Sequence, residues 1–93
     1  ALRAHFTTRA RREGDELKLL AQQIGADDAA RAKIVHIAHG LAGAGAIFGM
    51  PQVSSQAAEL EEAILAGAAP SDVASQSLAL ATTLAGLDCQ RSA

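Results

Sequence analysis

The residues with most to offer chemically lie between Ile34 and Gly49, in the run IVHIAHGLAGAGAIFG. It carries His36 and His39 and interrupts an apolar helical pattern with Gly40, Gly43 and Gly45. A neutral imidazole is a good nitrogen nucleophile near neutral pH, because its reference pKa is about 6.5. One ring nitrogen can accept a phosphoryl group, and the resulting P–N bond is labile enough to hand the group on. Phosphoryl transfer depends mostly on positioning and charge stabilisation. One exposed histidine is therefore enough on one side of the reaction, provided the partner brings the metal and the charges. The sequence holds neither a P-loop nor the glycine-rich loop of protein kinases, so autophosphorylation from ATP is not expected.

Other chemistries fit less well. His36 and His39 are three residues apart and could share a metal with Glu61. Metal sites usually take three or four ligands, however, and no other Cys or His lies near in sequence, so no metal is expected. His5 has no reactive neighbours and reads as a surface residue.

The element that must hold His39 is a helix. Residues advance by about 100° each, so those three and four apart share a face. With Ile34 at the centre of the buried face, Ala38, Leu41, Gly45 and Phe48 fall close to it and Ile37 at its edge. His39, His36 and Gly43 fall on the opposite half, with Gly40 beside them and Ile47 as an apolar residue on that exposed side. Helical side chains lean toward the N-terminus, so the residue four positions later covers a given one. Gly43 covers nothing and leaves the imidazole open to a large partner. A glycine inside a helix costs about 1 kcal/mol relative to alanine. Close helix packing accounts for Gly45, on the core side. Gly40 and Gly43 are expected to face outward, Gly43 serving access to the imidazole.

The rest of the chain reads as a scaffold. Its 93 residues suit a single domain, 1–93, with a modest core. Aromatics make up 2%, which argues against a β-sandwich and against a stacking platform for nucleic acid. The net charge of −2 argues against a general nucleic-acid binder. Arg3, Arg9, Arg11, Arg12 and Lys18 crowd the start, while Glu59, Glu61, Glu62 and Asp72 come later; both groups read as solvated helix faces. Cys89 is the sole cysteine, which excludes an internal disulfide and fits a reducing cytoplasm. No signal peptide is visible, and the apolar run from Ile34 to Met50 is short for a membrane span. The sequence begins at Ala1 rather than Met, which suits a trimmed chain or a piece of a larger protein.

Taken in order, Leu2, Phe6, Ala10, Leu17, Leu20 and Ile24 have helical spacing. Gly14 and Asp15 leave this segment as one long helix or as two short ones broken near Gly14. Gly25 is a stop signal. Asp27 or Asp28 can cap the next helix, which runs to about Phe48, with Gly49 at its end. Pro51 suits the first turn of a third helix, with Val53, Ala57, Leu60 and Ile64 on its core face and Gly67 closing it. Pro70, Ser71 and Asp72 open a fourth, with a stripe of Val73, Ser77, Leu80, Leu84 and Leu87. Short connections favour antiparallel neighbours, so the fold class is all-α, an antiparallel four-helix bundle.

The stretch resembles the histidine-containing phosphotransfer (HPt) domains of bacterial phosphorelays and chemotaxis kinases. Their pattern is roughly A-H-x-L-K-G, then Gly ten residues after the His, then Leu-Glu on the next helix. Ala38, His39, Leu41, Gly43, Gly49, Leu60 and Glu61 stand at those spacings. Phe48 before Gly49 also matches, and Phe6 fits an aromatic frequent in the first helix. The resemblance covers almost the whole chain. It implies that His39 accepts a phosphoryl group and passes it to a receiver-domain aspartate. It implies that Glu61 accepts from Nδ1–H of His39 and leaves Nε2 to attack, an arrangement familiar from metal-bound histidines. Expected partners are a response-regulator receiver domain or a hybrid histidine kinase, meeting a surface that includes His36, Gly40, Ala42 and Ile47. The expected state is a cytoplasmic monomer. No cofactor is expected in the chain, with magnesium held by the receiver.

One family position differs. Ala42 stands where the family usually has Lys, three residues after the histidine. A positive charge near the phosphoryl group is thereby lost. His36 and Lys33 are alternative cations, but both lean away from Gly43. The rival reading is a non-catalytic HPt-like bundle that binds a receiver or kinase without carrying phosphate.

Overall fold

A computed structural model describes the backbone of residues 2–25 and 28–92 and the side chains of residues 6–25 and 28–86. The expectations for Leu2, Arg3, His5, Asp27, Leu87 and Cys89 concern side chains outside that set.

The described chain forms helices α1 (Leu2–Gln23), α2 (Asp28–Ile47), α3 (Pro51–Leu65) and α4 (Pro70–Ser92). Each packs on its chain neighbour or closes the ring, α4 against α1, so α2 lies between α1 and α3. The side-chain links run antiparallel. Phe6 near the start of α1 stacks on Phe48 just past the end of α2, with ring centroids 5.1 Å apart. Arg31 near the start of α2 donates from Nη2 to the carbonyl of Ala68, beyond the end of α3, at 2.8 Å. That bond satisfies a carbonyl in the segment after the helix end.

The helix ends follow from local chemistry. Gly49 and Gly67 take φ of +70° and +82°, the left-handed region that glycine enters without a Cβ penalty. At each, the backbone closes the helix in the same way. Met50 N–H donates to the Gly45 carbonyl at 2.8 Å, and Ala68 N–H to the Ala63 carbonyl at 2.9 Å, the six-to-one bond of a Schellman motif. Pro51 and Pro70 stand at the first positions of α3 and α4, where a missing N–H costs nothing. Asp28 lies in the first turn of α2, where a carboxylate meets the positive end of the helix dipole.

The core is aliphatic. Leu17, Ile34, Leu41, Val53, Leu60, Val73, Leu80 and Leu84 are fully buried. Phe6, Ala38, Ala57 and Ile64 join them, and Phe48 packs at the edge. The buried stripes expected on α2, α3 and α4 are therefore present in the described side chains. Buried Ser77 satisfies its hydroxyl by donating to the Val73 carbonyl at 2.8 Å.

One alternative left open on sequence is settled. α1 runs unbroken through Gly14 and Asp15. Gly14 is buried against Leu84 and the Ala81 carbonyl of α4, where an added Cβ would make contacts of 3.6–3.7 Å. Packing on α4 holds the helix straight across a residue that favours breaks, which is tertiary context overriding propensity.

Candidate functional site

α2 presents its core stripe to the bundle interior and His39 to solvent. The His39 side chain is 78% exposed. Ile34, Ala38 and Leu41, the residues flanking it on the helix, are buried and fix the orientation of the backbone beneath it. Glu61 reaches across from α3, and its Oε2 lies 3.0 Å from Nδ1 of His39. Its neighbours Glu59 and Glu62 are exposed, whereas the Glu61 side chain is 23% exposed, held beside buried Leu60. With Glu61 as a carboxylate the bond runs from Nδ1–H to Oε2, and Nε2 is the ring nitrogen that this contact does not engage.

The glycines around His39 differ from one another. An added Cβ on Gly43 would meet nothing within 4 Å, so the surface there is open, as expected. Gly40 departs from expectation. It is half-buried, and an added Cβ would lie 2.8 Å from Nη2 of Arg9 on α1. Gly40 therefore faces α1 rather than open solvent, and its bare Cα lets the Arg9 guanidinium lie against α2. Arg9 in turn donates from Nε to Oε2 of Glu13 at 3.2 Å. The sequence placed Arg9 on a solvated face, whereas the structure sets its guanidinium against Gly40 of α2. The available signal was its position three residues after core Phe6, at the border of the buried stripe.

Gly45 is a close approach. An added Cβ would lie 2.9 Å from the Ser54 backbone nitrogen and 3.2 Å from the Met50 carbonyl oxygen. Here α2 and α3 meet backbone to backbone. The same junction carries a bond that sequence reading did not anticipate, from Ser54 Oγ to the Ala42 carbonyl at 2.9 Å. Ala42 is half-buried on the α3 side of the helix and packs against the core. His36 and Lys33 are exposed. Ile47 is the most exposed of the large apolar side chains described, at 80%. Among the described residues no three His, Cys, Asp or Glu side chains gather in a group suited to a metal. Nor, among them, is any helix long and apolar enough to cross a membrane.

An exposed histidine on a central helix, tied by one nitrogen to a carboxylate on the next, is what comparison with known families has to explain. The profile of the Hpt domain family matches residues 1–88. The chain belongs to the Hpt domain family. No curated protein and no solved structure gives a significant match. Hpt domains are helical phosphotransfer modules of two-component signalling, and that role, with receiver domains or kinases as partners, extends to this Hpt domain. The match spans α1, α2 and α3 and runs through α4 as far as residue 88, so all four helices belong to it.

Proposed function

We propose that this Hpt domain accepts a phosphoryl group on Nε2 of His39 and passes it to the aspartate of a receiver domain. The single observation behind this reading is the 3.0 Å contact between Nδ1 of a largely exposed His39 and Oε2 of Glu61. In the accepting step the Nε2 lone pair attacks phosphorus of an aspartyl phosphate. The P–O bond to the aspartate breaks, and the carboxylate leaves with the electron pair. The imidazole, protonated at Nδ1 and phosphorylated at Nε2, then carries positive charge on the ring. Glu61 balances that charge at short range. Transfer onward reverses the sequence with another receiver. The domain works as a cytoplasmic monomer and holds no cofactor, the magnesium ion being the receiver's.

A second reading has one observation in its favour, the alanine at position 42. There the domain binds a receiver or kinase and carries no phosphate. Incubation with phosphorylated receiver domains separates the two. Label on the wild type, lost in His39→Gln and kept in His36→Gln, supports transfer. Clear binding with no label from any cognate donor, or label that depends on His36 instead, overturns it.

A further inference from the structure

We propose that Arg9, reaching over from α1, supplies the positive charge beside phosphorylated His39 that Ala42 does not. The inference deepens the phosphotransfer reading and rests on it for its biological sense.

Three observations combine. First, Nη2 of Arg9 lies over Gly40, the residue that follows His39, close enough that even a methyl group there would be 2.8 Å away. Second, Gly43 leaves an open slot on the same face, with nothing within 4 Å of an added Cβ. Around the helix, Gly43 falls about 40° from His39 and about 60° from Gly40 on the other side. His39 therefore borders the slot toward α3, and Gly40 with its Arg9 guanidinium borders it toward α1. Third, Ala42 brings no cation from the α3 side. A phosphoryl group on Nε2 of exposed His39 has this open slot beside it, with the guanidinium on the slot's far border and His36 one turn below.

Arginine suits the task. Its planar fork can give two parallel N–H donors to phosphate oxygens and stays charged at any working pH. The side chain is 41% exposed, so it is free to turn its far end toward the new anion. Glu13 holds Nε at 3.2 Å, which steadies the side chain. The arrangement also explains a glycine that access to His39 does not require. Gly40 makes room for Arg9, while Gly43 makes room for the phosphoryl group and the partner.

The charges facing the group are Glu61 from α3, Arg9 with Glu13 from α1, and His36 from α2 itself. The test keeps all but Arg9 constant. In a His5→Gln, His36→Gln background His39 is the sole histidine of the chain. Phosphoramidate then phosphorylates it without any protein partner, releasing ammonia. The pH titration of its ³¹P resonance reports the local charge. A nearby cation favours deprotonated forms, so Arg9→Met should raise the midpoint by about 0.3 to 0.7 pH units, the two- to fivefold effect of an exposed charge pair. Arg9→Lys should leave the midpoint near the parent's. Adding Ala42→Lys to Arg9→Met should lower it again. An unchanged midpoint in Arg9→Met, or an equal rise in Arg9→Lys, overturns the proposal. Failure of every phosphorylated receiver to label the wild type defeats the relay reading instead, and the chemical titration still decides whether Arg9 faces the phosphoryl group.

Discussion

Nδ1 of His39 and Oε2 of Glu61 meet at 3.0 Å across the junction of α2 and α3, one side chain in solvent and the other half-sheltered. The contact engages Nδ1 and not Nε2. It also ties the imidazole to a helix other than its own, so its orientation depends on how α2 and α3 pack.

Glu61 is expected to matter through its acceptor oxygen. Glu61→Gln keeps an oxygen that can receive the Nδ1 proton, whereas Glu61→Leu does not. Initial rates of labelling by a phosphorylated receiver should fall modestly in the first variant and about tenfold or more in the second, by analogy with the partners of metal-bound histidines. Circular dichroism should show both variants folded. Equal rates in Glu61→Leu and wild type would remove Glu61 from the mechanism.

Gly43 and Gly45, two positions apart, should respond in opposite ways. With open space around its Cα, Gly43→Ala should gain up to about 1 kcal/mol in stability. Gly43→Leu should stay folded but lose transfer, because the side chain fills the slot beside His39. Gly45→Ala drives a methyl group onto the Ser54 nitrogen and the Met50 oxygen, both backbone atoms that cannot swing aside. It should cost about 1–3 kcal/mol. Urea denaturation of the three variants checks the order, and a destabilised Gly43→Leu would contradict the access role.

Phe6 should be the costliest single truncation in α1. It is buried and stacks on Phe48 with an interplanar angle of 20°. Phe6→Ala should lose about 3–5 kcal/mol. For a domain of this size that is a drop of roughly 15 °C or more in Tm. Because the pair pins α1 to the end of α2, loss of Phe6 should also loosen Arg9 from Gly40. Thermal unfolding followed by circular dichroism gives the first effect, and a shift of less than a few degrees would contradict the packing described.

Much of this protein is written locally. Ile34, Ala38 and Leu41 recur at helical spacing, so the sequence alone orients α2 and turns His39 outward. Gly49 and Gly67 mark the helix ends because few other residues enter the left-handed region. The partnership of Glu61 with His39 entered through resemblance to a family; helical spacing puts Glu61, unlike Glu59 and Glu62, at the border of the α3 core stripe, but it does not say which residue of α2 lies opposite. What only the tertiary structure decided lies between helices. α1 stays whole at Gly14 because Leu84 packs against it, and Gly45 is required because the backbone of α3 comes within reach. Arg9 faces Gly40 because α1 packs on that flank of α2. Helical periodicity fixes which face of one helix is buried, and it depends on residues within a few positions. The register of one helix against another depends on how whole rows of side chains interlock. No local pattern carries that register, and it is what brings Arg9, His39 and Glu61 to one surface.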